Sequence, residues 1–397
     1  MHVLERFALS SGLKIKSPQI FEHYYPIPIG EYVTFTTETT SESNFYDYWQ
    51  DVIDLMHPEL QKNNIKILQL GKESSRRFKN TLFADNAKIG QEAYIIKNGL
   101  LHFGADSYHV HLANSLGKKI ASIYSHVLAS NRGPFWRDEE LQIVIEPERE
   151  DDEKPCYGIV EKNDKSINTI KPEVIAKSIL NLLGIDFNSV YSTEQTGYEY
   201  HEDFVDVVPN EHLEKYGDVN GLPKHMRIRM DLNFDESFME DYLHQLDLAT
   251  IITKRPINPN ILFNFKGKID SLIFNYDKSY SGDLSQFIGL LNACDIKHAF
   301  ISFLPEEECD KFKFKYMDLT FLQRQELRSK KDVKCDLDSL YYKSSKRVLS
   351  GGKIYPSDWA WKNHKPTNTT EKVPCPIEDD PELWKDLDYF ALVKKIG

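Results

Sequence analysis

The chain has 397 residues, with 61 acidic against 49 basic side chains and a formal net charge of -12, which is long enough for two domains with their own cores. Hydrophobic residues at 41% and charged residues at 28% give a soluble globular composition, and no apolar run approaches the roughly 18 residues of a membrane-spanning helix. The acidic balance argues against a broad nucleic-acid-binding surface, and the charged N-terminal run without a small-residue cleavage site does not read as a signal peptide.

Residues 2 to 12 predict a short amphipathic helix with Val3, Leu4, Phe7 and Ala8 on one face and Gly12 as its stop. Pro18, Pro26 and Pro28 punctuate an extended connection to a strand over Tyr32–Thr37, rich in β-branched and aromatic residues. The polar loop Glu38 to Ser43 feeds a helix from Asn44 to about Leu60, followed by a buried strand over Ile65–Leu70 that ends in Gly71-Lys72-Glu73. A helix around Gly90 to Lys97 leads to an apolar run, Leu100–Phe103, which ends in Gly104-Ala105-Asp106-Ser107. There a helix opens, with Val110, Leu112, Ala113 and Leu116 at helical spacing before Gly117 stops it. Strands over residues 118 to 125 and Leu141–Ile145 follow, then an acidic linker from Glu146 to Lys154 and a helix from Lys171 to Gly184 with Pro172 in its first turn.

A second alternation begins after an acidic, aromatic stretch. His225–Met230, Ala249–Thr253, Ile269–Phe274 and Lys297–Ser302 read as strands, with helices at Glu236–Leu246, Pro259–Phe265 and Leu284–Ala293 between them. Residues 303 to 378 are less regular, and the chain closes with an amphipathic helix capped by Asp380 with Pro381 at its first position. The expected class is therefore α/β, with two Rossmann-like domains and a C-terminal helix. The expected boundaries are 1–187, a linker over 188–206, a second domain with an irregular extension over 207–378, and the helix over 379–397.

The turn at Gly104–Ser107 is the first functional candidate. A strand that hands a Gly and a small polar pair to a helix N-terminus presents unpaired N–H groups and the positive end of the helix dipole to an anion. Asp106 and Ser107 either hold such a ligand or simply cap the helix, and the two roles are compatible. His111 lies one turn beyond Ser107 on the same face and can meet a phosphate, whereas His109 lies on another face. Gly71 and Lys72, after the preceding strand, form a second candidate: close backbone approach and a point charge. Asp231, at the end of the strand carrying Arg227 and Arg229, is placed either as a general base or as a salt-bridge or capping residue. Trp359 and Trp361 either stack on a sugar or base or pack in the core. No His, Cys, Asp and Glu spacing converges on a metal pattern, and there is no Walker A loop or G-x-S-x-G elbow. The five cysteines are odd in number, widely spaced and without a C-x-x-C pair, and read as reduced thiols of a cytoplasmic protein.

Residues 1 to about 185 resemble the donor-binding half of the ADP-heptose lipopolysaccharide heptosyltransferase family, glycosyltransferase family nine, whose architecture is GT-B. The resemblance rests on Gly104-Ala105-Asp106-Ser107, His111, Leu112-Ala113, Leu116-Gly117, the strand that follows, Pro134 within Gly133–Trp136, and the opening His2–Arg6. It implies a metal-independent glycosyltransferase, without cofactor, that binds a nucleotide sugar through Gly71, Lys72, Gly104, Asp106, Ser107 and His111 in a cleft between two domains. The family's basic residue after the first strand is not evident in Glu38–Ser43, and its catalytic carboxylate lies in an acceptor-side domain with no counterpart here. The acceptor is left open between a glycan and a modified nucleic-acid base, the latter drawing on the basic segments 311–331 and 343–353. A non-catalytic binding relic of the same fold is the remaining alternative.

Overall fold

The structure, a computed structural model, describes residues 1–27, 30–39, 41–136, 139–150, 153–161, 165–216, 225–316, 320–323, 327–367 and 369–396. Pro28, position 40 of the loop after the first strand, positions 151 and 152 of the acidic linker, and positions 317–319 and 324–326 of the basic segment lie outside the described residues. The chain divides into two units, Met1–Thr193 joined by Ile396, and Glu194–Lys395. Among the described residues no helix is long and apolar enough to cross a membrane.

The first unit runs α1 (Val3–Ser11), β1 (Tyr32–Thr36), α2 (Trp49–Lys62), β2 (Lys66–Gly71), β3 (Leu82–Asp85), α3 (Ile89–Asn98), β4 (Leu101–Ala105), α4 (Tyr108–Ser115), β5 (Lys119–Ile123), α5 (Ala129–Arg132), β6 (Gln142–Ile145) and α6 (Pro172–Leu183), and β7 (Tyr191–Thr196) crosses its boundary. Its six strands are all parallel, in the order β3-β2-β1-β4-β5-β6. Strands are laid outward from β1 in one direction and then, from β4, in the other. That reversal opens a crevice at the carboxyl ends of β1 and β4, the place where open α/β sheets bind ligands. Every residue of β1 and β4 is buried, as parallel strands covered on both faces must be. On one face Phe35 stacks on Phe103 at 4.7 Å between centroids and meets Trp49 of α2 at 5.1 Å. On the other, Tyr32, Leu70, Ile95, Val110 and Ile120 join one cluster. Helix α6 starts with Pro172 and ends at Gly184, whose φ of 75° is the left-handed stop that Gly adopts without strain. Helix α1 forms as expected but buries no residue, and Phe7 is 70% exposed. Strand β3, which follows a turn too short on apolar residues to be seen in the sequence, was not expected.

The second unit contains β8 (Phe204–Val207), β9 (His225–Arg229), α7 (Glu236–Gln245), β10 (Leu248–Thr253), α8 (Pro259–Phe265), β11 (Ile269–Asn275), α9 (Ser285–Ala293), β12 (Lys297–Ser302), α10 (Glu306–Lys315), β13 (Phe321–Gln323), β14 (Leu340–Ser344), β15 (Lys346–Ser350), β16 (Lys353–Tyr355), α11 (Asp358–Lys362), β17 (Cys375–Pro376), α12 (Pro381–Trp384) and β18 (Phe390–Lys395). The four expected strands and three expected helices between residues 225 and 302 are all present. The sheet order is β13-β12-β11-β10-β9-β8-β15-β16. From β8 to β13 the strands are laid in one direction without reversal, so Met239, Leu243, Leu262 and Leu291 of α7, α8 and α9 share one core with Ile228, Ile251, Leu272 and Phe274. A smaller antiparallel sheet, β17-β14-β18-β7, carries a separate core with Trp359, Leu383 and Trp384, against which Trp361 packs.

Three expectations are corrected. The terminal helix stops after Trp384, and Phe390–Lys395 is a strand, because Phe390, Ala391, Leu392 and Val393 are all buried and an unbroken apolar run fits a covered strand better than a one-faced helix. The expected linker at 188–206 holds β7 and most of β8. The irregular extension at 303–378 holds β13 to β17, short strands whose few residues show no period. All five cysteines are free.

Candidate functional site

The Gly104–Ser107 turn stands at the reversal of the first sheet. Gly104 is required by packing: a Cβ there would lie 2.6 Å from the carbonyl oxygen of Thr36 on β1. Ser107 occupies the cap position of α4 with extended backbone, φ −152° and ψ 165°, yet its hydroxyl makes no cap bond and, although buried, has no partner among the described residues. The turn therefore offers a donor next to the free N–H groups of a helix N-terminus. Behind it the first residues of α4 are anchored: Tyr108 Oη donates to one oxygen of Glu92, and His109 Nε2 lies 3.2 Å from the other. Burial alone would raise Glu92, but those bonds outweigh it and hold its carboxyl below the usual range. His109, set aside in the sequence, serves this anchor.

Asp106 is 7% exposed, but its carboxylate is loosely held. Asn44 Nδ2 lies 3.5 Å and Arg132 Nη1 3.8 Å from Oδ2, and His111 Nε2 lies 3.9 Å from Oδ1. Asn44 is oriented in turn by His126, whose Nδ1 donates to its Oδ1 at 2.6 Å. Burial pushes both His111 and His126 below the ordinary imidazole value, with Asp106 pulling the other way. A buried carboxylate lacking close partners is the costly member of such a group, and it is placed to accept bonds from a ligand.

Beside this turn a cavity of about 370 Å³ opens at the ends of β1 and β2, lined by Thr37, Glu38, Thr39, Ser41, Glu42, Phe45, Ser75 and Arg76. Ser75 Oγ accepts from the backbone N–H of Lys72 at 2.8 Å and donates to Glu38. A Cβ on Gly71 would lie 2.8 Å from that same Ser75 Oγ, a side-chain hydroxyl, whereas the neighbour at Gly104 is backbone, so packing constrains Gly71 less than Gly104. Lys72 is an exposed side chain at 81%, with Nζ 3.9 Å from Glu38 Oε2.

Asp231 sits elsewhere, in the second unit. Both its oxygens accept from Arg229, at 2.8 and 2.9 Å. Arg229 also reaches Asp206 and Asp358, and Lys346 reaches Asp206, Asp358 and Asp386. This is the salt-bridge alternative, and a proton-accepting role would require the pair to open. In the basic segment, Lys311, Lys313, Lys315, Arg328 and Lys330 each pair with a carboxylate, and Lys346 and Arg347 are buried.

The structure thus gathers Gly104, Asp106, Ser107 and His111, sets Gly71 against Ser75 and Lys72 near Glu38, two residues of the cavity wall, and has Asp231 in the second unit. Asn44, His126, Arg132, Thr37 and Arg76 were missed. His126 and Thr37 lie just beyond strands β5 and β1, a position that marks ligand-binding groups in such sheets; Arg132, in a four-residue helix, carries no sequence signal.

No family model matches the sequence and no curated protein matches it. In fold the chain resembles solved glycosyltransferases. A family 9 glycosyl transferase from Veillonella parvula aligns with 45% of this chain and 49% of its own, at 16% identity and a TM-score of 0.32. The E. coli heptosyltransferase WaaC, solved with ADP, aligns with 46% of this chain and 57% of its own, at 17% identity and a TM-score of 0.32. The iron-containing dodecameric glycosyltransferase TibC from enterotoxigenic E. coli aligns over 44% and 52%, at 12% identity and a TM-score of 0.34. The chain spans about half the length of these structures.

Proposed function

We propose that the chain is a glycosyltransferase-type protein that binds a nucleotide sugar at the Gly104–Ser107 turn and transfers the sugar without a metal ion. The observation that carries this reading is Asp106: a buried carboxylate with no bond closer than 3.5 Å among the described residues, next to a Ser107 hydroxyl that has no partner among them, at the strand reversal of the sheet. The N-terminus of α4 and Ser107 would receive the diphosphate, with His111 and Arg132 flanking it, and Asp106 would accept from a sugar hydroxyl. Rate enhancement then comes from orientation and from stabilising the departing diphosphate with fixed donors.

Calorimetry against a panel of nucleoside diphosphates and their sugars tests the reading. Binding of at least one is expected, and absence of binding by all, in protein shown to be folded, overturns it. The occupied state of Asp231 favours, as a second reading, a binding protein without transferase activity. Release of free sugar from a nucleotide sugar without acceptor separates the two, since a non-catalytic protein releases none.

A further inference from the structure

The cavity at the ends of β1 and β2 has an unusual chemistry for a phosphate site. Among the described residues its wall carries two carboxylates, Glu38 and Glu42, four hydroxyls from Thr37, Thr39, Ser41 and Ser75, and one guanidinium, Arg76. Glu38 is steadied by Ser75 on one oxygen, while its other oxygen has, among the described residues, Lys72 at 3.9 Å. Glu42 and the hydroxyl of Thr37 have no partner among the described residues, although Thr37 is only 6% exposed. Phosphate oxygens accept bonds and carry negative charge, so two carboxylates facing them repel. Sugar hydroxyls donate, and a donor to a carboxylate makes the short, strong kind of hydrogen bond. The ring of Phe45 gives an apolar wall for the face of a sugar ring, and the volume lies in the range of small-ligand sites.

We propose that this cavity is a subsite for a neutral, hydroxyl-rich ring, held by Glu38, Glu42 and Thr37, and that it excludes phosphate. The inference rests on the nucleotide-sugar reading, under which the diphosphate lies at the neighbouring Gly104–Ser107 turn. The ring is then either the transferred sugar or the ribose of the nucleotide. Lys72, drawn toward Glu38, is thereby assigned to trimming the charge of the subsite rather than to a phosphate.

The test is calorimetric titration of the full chain with four probes: a nucleoside diphosphate, its 2′-deoxy counterpart, a nucleotide sugar with the same base, and inorganic pyrophosphate. The expected result is that wild type prefers the nucleotide sugar over the bare diphosphate, or the ribose form over the deoxy form, by about tenfold or more, the value of a hydrogen bond to a charged group. The first preference assigns the cavity to the transferred sugar, the second to ribose. Glu38→Gln should collapse that ratio to within about twofold without weakening pyrophosphate, and Glu42→Gln should move it in the same direction. Thermal melts establish that each variant is folded, and the exposed Glu42 supplies an answer if Glu38→Gln is not. A wild type without either preference, a ratio unchanged in both variants, or an equal gain for all phosphate ligands in Glu38→Gln overturns the inference while nucleotide binding stands. Failure of all four probes to bind folded wild type defeats the nucleotide-sugar reading itself.

Discussion

Arg132 Nη1 stands 3.8 Å from Oδ2 of Asp106, too far for a hydrogen bond and close enough to balance its charge. The carboxylate is thus attracted from several sides and tightly bonded from none. Asp106→Asn keeps the shape and removes a charge that is buried and only loosely partnered, so the unfolding free energy should hold or rise rather than fall. Affinity for a nucleotide sugar should nevertheless fall about tenfold or more, since a charged acceptor is lost. Denaturant unfolding and calorimetry on the same variant measure both. A large loss of stability with unchanged affinity would make Asp106 structural.

His111 gives a pH signature. Burial holds its imidazole below the ordinary value of about 6.5, against the pull of Asp106. It is therefore neutral at pH 7.5, where its contribution to folding is fully present, and that contribution is lost as pH falls below the ordinary value. An anionic ligand acts oppositely and favours the protonated ring. Affinity for a nucleoside diphosphate should rise between pH 7.5 and 5.5, and more steeply in wild type than in His111→Gln. Phosphate itself titrates near 6, so the readout is the difference between the two proteins; identical slopes would remove His111 from the site.

Much of the fold could be read in the sequence because long parallel strands leave two clear marks. Tyr32–Thr36 is a run of β-branched and aromatic residues and Leu272–Phe274 an apolar core of its strand, and each strand is separated from the next by a helix with its own 3.6-residue period. The Asp106-Ser107 pair was visible because it sits where period-free strand passes to helix. Residues that complete the site were not: Asn44, in a three-residue turn, and Arg132 come to Asp106 through tertiary folding alone. The C-terminal strand was misread because Leu383, Leu387 and Phe390 also fall at helical spacing. The burial of Phe390 to Val393, with Phe390 pairing opposite Ser344 on β14, depends on a partner some 46 residues earlier in the chain, and the short apolar run alone does not tell strand from helix.

Gly104 separates packing from ligand approach. With a Cβ only 2.6 Å from the Thr36 carbonyl and 3.2 Å from its Cγ2, Gly104→Ala must push β4 from β1 at the strand reversal. Overpacking of this kind costs about 1–3 kcal/mol, measurable as a shift in the urea midpoint with unchanged slope. Unchanged stability would mean that the two strands separate freely there.

The buried ion network of the second unit should dominate acid stability. Asp206, Asp231, Asp358 and Asp386 face Arg227, Arg229 and Lys346, leaving one carboxylate in excess. Replacing Lys346 by Met strands Asp386 in the interior, whereas Asp206 keeps Arg227 and Arg229 and Asp358 keeps Arg229, and should cost about 3–5 kcal/mol. Burial raises Asp206 and Asp358, but the neighbouring cations outweigh it and hold both below the ordinary value. Their contribution is present above about pH 4 and lost as pH falls through the depressed values. Asp386 runs the other way: burial raises it against the pull of Lys346, so its contribution is present below about pH 4 and lost as pH rises through its folded value. Asp386→Asn removes the excess charge but keeps one acceptor oxygen in place of the two that Lys346 Nζ and the N–H of Asp358 now use, a cost that is the same at every pH. It should therefore be more stable relative to wild type at pH 8 than at pH 3.5, as read from denaturant curves at the two pH values. A difference of the opposite sign would place the excess charge on another member of the network.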